Sequence, residues 1–573
     1  MISSSFYYEG NMQNRLEQWK QFNNLDPELR RLLDTMSEAD LKDAFYTALE
    51  FGTAGIRGVI GAGPNRLNIY TIRKANVAFA KYLLQYEDIL NKGVAIAYDN
   101  RYMSKEFAIE SAKVLAMYHI PSYVFTSLRP TPELSFAVRY LGCIGGIVIT
   151  ASHNPKEYNG YKVYDHNGCQ LIPNLIDQVI EKLKETPDEL RIEVNLDETQ
   201  NALIHWIDEP IDTAYINQVL KIQLRPNQDK SKAHIVYTPQ HGTGYMPVMR
   251  VMKEAGYQII PVTLQCTADP AFSNTITPNP EEKDAYKMAI EMAIQHNAEG
   301  LITTDPDADR IGVGVKHHNE YVLLTGNQTA AILIEYLFST KTQLNLMPYK
   351  PVMFNTIVTS DLGEKVAKHY GVETEKTLTG FKFIGSRIEH YQQTKEKTFI
   401  FGYEESYGYL FEPFVRDKDA IQASLMLAEC MTYYHHLNMT LVDVLNSLYT
   451  QYGFHLEQQV SLALKSESGA IKLKEIMHHF RTETIDSFAN IKVSIKEDYL
   501  LGQRQSGLIN TKLEGFPSAD VIKYILEDGS WLAIRPSGTE PKCKFYFCIL
   551  DKSMDLCQKK FEALKLDLEK HYQ

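Results

Sequence analysis

Three stretches of this sequence pass through the same order of elements, and that order narrows the possible folds more than any other feature. Gly93 to Tyr98, Ala233 to Tyr237 and Pro351 to Asn355 are short β-rich runs. Each leads through a polar loop (Asp99-Asn100-Arg101, Gln240-His241-Gly242-Thr243-Gly244, Thr359-Ser360-Asp361) into a helical pattern. The helices stop alike, at Tyr118-His119-Ile120, Ala255-Gly256-Tyr257 and Tyr370-Gly371-Val372. A further helix follows in each copy, over Pro132 to Leu141, Glu281 to His296 and Phe383 to Gln392, and then a strand that ends in an unusual loop. Strands alternating with helices in this way predict three α/β units. In open α/β sheets ligands gather outside the carboxyl ends of strands, so the three terminal loops are where chemistry is expected.

The first of these loops is Thr150-Ala151-Ser152-His153-Asn154-Pro155, followed by Tyr158-Asn159-Gly160 and Lys162. The apolar run Ile144 to Ile149 delivers a serine onto a tight turn, with Ser152 expected to be exposed beside His153 and Lys162, groups suited to holding phosphate or moving a proton. The second is Asp305-Pro306-Asp307-Ala308-Asp309-Arg310, after Gly300-Leu301-Ile302. Alternating carboxylates offer hard oxygens to a divalent cation. An EF-hand is excluded, because its loop needs Gly at the sixth place and Glu at the twelfth, where this chain has Arg310 and Lys316. A small, incompletely enclosed Mg2+ site, completed by water and phosphate oxygens, fits better. The third loop, Gly402-Tyr403-Glu404-Glu405-Ser406-Tyr407-Gly408, supplies in Glu404 and Ser406 an acceptor and a hydroxyl suited to sugar hydroxyls. A fourth strand end, outside the repeat, carries Arg535-Pro536-Ser537-Gly538-Thr539-Glu540-Pro541. There the arginine fork, two hydroxyls and backbone N–H groups around Gly538 form a phosphate cradle.

The rest of the chain bears on what these loops serve. The 573 residues carry a formal net charge of −12 and no dense Lys/Arg run, which argues against nucleic acid as a partner. An anionic substrate then needs a local positive pocket, for which Arg57, Arg101, Lys162, Arg310, Lys382 and Arg535 all read as loop residues. No apolar run approaches a membrane span, and the N-terminus lacks a signal peptide's regions, so a cytoplasmic protein is expected. Seven scattered cysteines read as free thiols. The first forty residues predict helices over Asn14 to Phe22 and Pro27 to Leu33 and a start at Ser37. They lead into Phe51-Gly52-Thr53-Ala54-Gly55-Ile56-Arg57-Gly58, which matches no nucleotide-binding fingerprint. Thr440 to Asp498 reads as helix and linker before a last domain with a polar terminal helix, Asp555 to His571.

Together these stretches resemble the α-D-phosphohexomutase superfamily, the phosphoglucomutases and phosphomannomutases, from about residue 45 to the C-terminus. TASHNP resembles the family's phosphoserine loop, DPDADR its metal loop, GYEES its sugar-binding loop and RPSGTEP its phosphate-binding loop, in the family's order. FGTAGIRG and Gly380-Phe381-Lys382 look most like the bacterial α-phosphoglucomutase branch and the related eukaryotic glucose/pentose branch. The resemblance implies an α/β fold of four domains in a heart shape around a central cleft, three similar α/β domains followed by a distinct C-terminal α+β domain. On this chain that gives a helical extension (1–44), domains over 45–200, 201–318 and 319–450, and a linker with the fourth domain over 451–573.

The resemblance also implies roles. Ser152 would carry the phosphate and, with Asp305, Asp307 and Asp309, ligate Mg2+. Arg57 and Lys162 would take part in proton transfer, and His153 would position the phosphoserine. Arg310 and Lys382 would line the sugar site, Glu404 and Ser406 would hold hydroxyls, and Arg535, Ser537, Gly538 and Thr539 would hold the phosphate that does not react. The implied enzyme is an intramolecular phosphotransferase interconverting glucose 1-phosphate and glucose 6-phosphate, with glucose 1,6-bisphosphate as intermediate and activator and a monomer or weak homo-oligomer as its state. A pentose or mannose phosphomutase is the alternative with the same chemistry; a metal-dependent phosphatase or a sugar-phosphate binding protein is a more distant one. Tyr403 stands where many relatives have a small residue and Phe381 where phosphomannomutase relatives often have His, departures that leave the sugar preference open and the chemistry untouched.

Overall fold

The computed structural model describes residues 2–52, 55–464, 467–536 and 542–572. It divides into two compact units, one made of residues 1–323, 385–393 and 408–432, the other of 324–384, 394–407 and 433–573.

The first unit holds two sheets. In the larger, Val94–Tyr98 lies between Ser122–Phe125 and Gly145–Ile149 in parallel, and Ile204–Ile207 extends the parallel edge beyond Ser122–Phe125. Beyond Gly145–Ile149 the chain turns back antiparallel through Tyr158–Asp165 and then Ile56–Val59. The strands Val94–Tyr98 and Gly145–Ile149 are buried along their whole length, as expected of parallel strands covered on both faces, which is why they read as continuous apolar runs. The second sheet repeats the pattern: Ile235–Thr238 between Ile259–Pro261 and Gly300–Thr304 in parallel, then Ile311–His317 antiparallel. In the second unit Pro351–Thr356 lies between Glu373–Thr377 and Thr398–Glu404, all parallel. The threefold repeat is therefore real, with the third strand of each copy ending at the Ser152, Asp305 and Glu404 loops.

The repeat extends to the helix ends. After Ser104–Met117, Tyr245–Glu254 and Leu362–His369, residues His119, Gly256 and Gly371 take left-handed conformations with φ of 58°, 88° and 70°. The N–H groups that follow close back five residues: Ile120 to Leu115 O at 3.0 Å, Tyr257 to Met252 O at 2.8 Å and Val372 to Ala367 O at 3.0 Å. These are Schellman caps, satisfying carbonyls the helix leaves open.

Two expectations are corrected here. The segment read as helix and linker contributes a full strand, Phe454–Ala463, paired along its length with Lys542–Asp551 in an antiparallel sheet that also contains Trp531–Pro536, Ile522–Leu526 and Ile491–Asp498. Its alternation of Leu456, Val460 and Leu462 with polar residues is the half-buried strand signal, masked by the charge around it. The N-terminal helices are longer than the periodicity indicates, Ile2–Gln21, Pro27–Thr35 and Glu38–Phe45, the last capped by Ser37. Trp19, Leu29, Leu33, Phe45 and Tyr70 form their shared core.

Candidate active site

Ser152 leaves the strand Gly145–Ile149 in a left-handed conformation, φ 51°, an uncommon one for a residue with a Cβ. Its N–H donates to Thr150 Oγ1 at 2.8 Å. Its hydroxyl donates to Asp305 Oδ2 at 2.6 Å and lies 3.1 Å from His153 Nδ1. The serine was expected to be exposed, yet it is 97% covered, at 3% exposure. The polar loop that carries it is packed beneath the Asp305 loop, a tertiary contact that no local pattern announces.

The three aspartates converge. One carboxylate oxygen from each of Asp305, Asp307 and Asp309 lies within 4.8 Å of the others, and all three side chains are buried, which is more enclosure than the sequence suggested. Asp305 Oδ1 accepts the N–H groups of Asp309 and Arg310 at 3.2 and 3.0 Å. Asp307 Oδ2 accepts from Thr131 Oγ1 and from Lys162 Nζ, each at 2.9 Å. Asp309 Oδ2 sits 3.1 Å from Lys418 Nζ and 3.7 Å from Lys162 Nζ. Among the described residues, Asp307 Oδ1 and Asp309 Oδ1 are buried and have no hydrogen-bond partner. Buried carboxylate oxygens without donors are costly. Hard, close-set and unsatisfied, these oxygens fit a small divalent cation.

The electrostatics follow. Burial, then repulsion from Asp307 and Asp309, pushes the Asp305 carboxyl well up. Burial also pushes Asp307 up, but the Lys162 ammonium and the donors around it outweigh this and hold its carboxyl well below the usual range. Burial alone would lower the Lys162 ammonium; Asp307 and Asp309 reverse that and raise it. Burial and then the Arg310 and Arg57 charges drive His153 well below the ordinary imidazole value, so it faces Ser152 as a neutral ring.

Arg57, on the strand Ile56–Val59, donates to Asn154 Oδ1 at 2.7 Å, and Arg310 pairs with Glu281 at 2.6 Å. Of the cations read as loop residues, the structure gathers Arg57, Arg101, Lys162 and Arg310 around the Ser152 and Asp305 loops. Only Arg101 and Arg310 are on loops; Arg57 and Lys162 project from strands, which fixes their backbones more firmly. Lys418 and Thr131 were missed. Thr131 looks like an ordinary helix start between two prolines, and Lys418 belongs to the alternating run Arg416-Asp417-Lys418-Asp419, whose charge pattern was the available signal.

The second unit carries the remaining candidates. Glu404 ends the strand Thr398–Glu404, is nearly buried, and accepts the Gly380 N–H on Oε1 at 2.7 Å. Lys382 is the second residue of the helix Phe381–Thr394 rather than a loop residue; burial first, then the Arg535 charge, brings its ammonium down to about 8. Ser406 is partly buried in the turn before Tyr407. Arg535 lies on the strand Trp531–Pro536 opposite Lys544, while Ser537, Gly538 and Thr539 lie outside the described residues. Tyr403 and Phe381 are both buried, Tyr403 with its hydroxyl against Gly363 and its ring 5.8 Å from that of Phe401.

Models of the phosphoglucomutase/phosphomannomutase family match four segments in order: α/β/α domains I, II and III over residues 48–190, 213–318 and 325–452, and the C-terminal domain over 488–548. The chain belongs to this family. It is 36% identical over 543 residues to a phosphoglucomutase of Staphylococcus aureus strain MRSA252, covering 94% of this chain and 96% of that protein. The Staphylococcus haemolyticus phosphoglucomutase is similarly 36% identical over 538 residues, 93% and 96% of the two chains. Among solved structures, a family protein from Burkholderia thailandensis superposes with a TM-score of 0.66 at 17% identity, over 91% of this chain and 97% of that one. Paramecium parafusin, a phosphoglucomutase, gives 0.65 at 18%, over 92% and 95%. These two establish the four-domain α/β fold. The chain is thus a phosphotransferase mutase of the isomerase class. No helix among the described residues is long and apolar enough to cross a membrane.

Proposed function

We propose that this chain is a phosphoglucomutase, interconverting α-D-glucose 1-phosphate and glucose 6-phosphate through a phosphate carried on Ser152 and a glucose 1,6-bisphosphate intermediate. The observation that carries the proposal is the Ser152 hydroxyl 2.6 Å from Asp305, beside two buried carboxylate oxygens without donors. Ser152 is held by strand and loop for one task, exchange of a phosphoryl group. Asp305, Asp307 and Asp309, with an oxygen on Ser152, would hold Mg2+. Bound there, the ion offsets charge on the group in transfer.

The chain's own residues do the rest. Glucose 1-phosphate binds with its phosphate on Arg535, Ser537, Gly538 and Thr539, while Arg310 and Lys382 line the sugar and Glu404 and Ser406 accept and donate to its hydroxyls. The 6-hydroxyl oxygen attacks phosphorus as the bond from phosphorus to Ser152 Oγ breaks, and the hydroxyl proton, passed on by way of Arg57 or Lys162, ends on the departing Ser152 Oγ. The bisphosphate then turns end for end. Ser152 Oγ takes the 1-phosphate in the reverse of the first step, and glucose 6-phosphate departs. His153, neutral and 3.1 Å from the serine oxygen, keeps that oxygen aimed throughout. Glucose 1,6-bisphosphate serves as activator because it restores the phosphate when the intermediate escapes.

The test compares kcat/KM for glucose, mannose and ribose 1-phosphates, with Mg2+ and the matching bisphosphate, against Ser152→Ala. A lead of about tenfold for glucose 1-phosphate with a dead variant supports the proposal. A ribose or mannose lead keeps the chemistry and changes the substrate. Steady release of inorganic phosphate would point to a phosphatase instead.

A further inference from the structure

The loop that presents Ser152 is stapled from behind by one buried side chain. Arg101 donates from one guanidinium nitrogen to the carbonyls of Ser152 and Asn154, each at 2.5 Å, and from another to those of Pro155 and Tyr158 at 2.8 and 3.0 Å. Asp99 pairs with it at 3.3 Å, both side chains fully covered. Four carbonyls of one loop thus converge on a single planar fork, a geometry the point charge of a lysine cannot reproduce.

The guanidinium is closed over by a segment of the second sheet's domain. The Phe272 ring lies over it, 5.2 Å from Arg101 Cζ, at φ 52°, a strained conformation for an aromatic residue. Asp269 shapes that turn, its carboxylate accepting the N–H groups of Ala271 and Ser273 at 2.9 and 2.8 Å and its carbonyl accepting Asn100 Nδ2 at 2.9 Å. His241 ties both ends of the segment: Nδ1 donates to Thr267 O at 2.8 Å and Nε2 accepts the Asn274 N–H at 3.3 Å. The next residue, Gly242, presses on Pro306 of the aspartate loop, where a Cβ would fall 2.4 Å from Pro306 Cα, and Thr243 N–H donates to Pro306 O at 2.8 Å. A ring of contacts therefore closes: aspartate loop, His241 loop, Phe272 segment, Arg101, serine loop, and back through Ser152 to Asp305.

We propose that Arg101 and the Asp269–Phe272 turn over it are positioning residues for phosphoryl transfer, acting through Ser152 by holding its loop at the geometry in which its oxygen meets Asp305. The inference rests on Ser152 being the phosphate carrier. Neither group touches the substrate, so the effect falls on the transfer step and not on binding. Arg101→Lys lowers kcat on the order of a hundredfold, the scale of a misplacement of about 1 Å. Phe272→Leu keeps the cover but loses the attraction of ring for cation, and lowers kcat about three- to tenfold.

The experiment measures kcat, KM for glucose 1-phosphate, melting midpoint and single-turnover discharge of labelled phosphoenzyme, prepared with glucose 1,6-bisphosphate, for wild type, Ser152→Ala, Arg101→Lys and Phe272→Leu. Slower discharge with KM within about twofold of wild type supports the proposal. Unchanged kcat per folded molecule in the two variants, with only a lower melting midpoint, overturns it and makes the ring purely structural. If Arg101→Lys does not fold, Phe272→Leu decides alone. Absence of label on Ser152 in the wild type would instead overturn the phosphoserine reading, and this inference with it.

Discussion

Replacing Lys162 by methionine isolates the electrostatics of the aspartate cluster. Three buried carboxylates are faced by the ammonium groups of Lys162 and Lys418, with Arg310 more distant at 3.9 Å from Asp309. At the 2.9 Å separation of Lys162 and Asp307, the gross attraction is about 6 kcal/mol at an effective dielectric constant of about 20. Part of this is offset because the substitution also removes the desolvation of the ammonium. Deleting one partner of a buried pair costs about 3–5 kcal/mol overall. For a chain of 573 residues 1 kcal/mol is about 1 °C or a little less, so the melting midpoint in EDTA falls about 3–4 °C. Because a bound cation replaces the lost positive charge, Mg2+ raises the midpoint of Lys162→Met more than that of wild type. Thermal melts of both proteins in EDTA and in Mg2+ make the measurement. A variant melting within about 2 °C of wild type in EDTA, or an equal Mg2+ shift in the two proteins, would refute the reasoning.

Three further outcomes follow from the geometry. Gly242→Ala forces a Cβ to within 2.4 Å of the Pro306 backbone, so the aspartate loop must move; the Mg2+ concentration for half-maximal activity is expected to rise about tenfold or more, read from a metal titration. Lys382, with its ammonium at about 8, is charged below that pH and neutral above it, so kcat/KM for glucose 1-phosphate falls as pH rises through about 8, and Lys382→Arg moves that limb to higher pH. His119 occupies a left-handed helix cap that holds glycine in the other two copies of the repeat; His119→Gly therefore stabilises the fold by about 0.5–1 kcal/mol, seen as a small rise in melting midpoint with unchanged activity.

The sequence displayed the repeat because each copy sets short buried strands against capped helices, and such local patterns survive in composition. It displayed the Ser152, Asp305 and Glu404 loops because strand ends in α/β sheets are where polar residues break an apolar run. What stayed hidden depends on contacts between distant segments. Ser152 reads as exposed from its polar neighbours, but the Asp305 loop covers it. Arg101 works through backbone carbonyls, which leave no trace in residue identity. Lys418 reaches Asp309 from a segment more than a hundred residues downstream in the chain. Lys382 lost its helix to the glycine before it, and the strand Phe454–Ala463 was obscured by surrounding charge.

The most direct test of the central claim locates the phosphate. Enzyme incubated with Mg2+ and labelled glucose 1,6-bisphosphate is digested, the labelled peptide is sequenced by mass spectrometry, and the intact phosphoenzyme is then mixed with unlabelled glucose 1-phosphate. The account predicts label on Ser152 alone, absent in Ser152→Ala, that passes to the sugar as bisphosphate and glucose 6-phosphate. Label on another residue, or label leaving Ser152 only as inorganic phosphate, would contradict it.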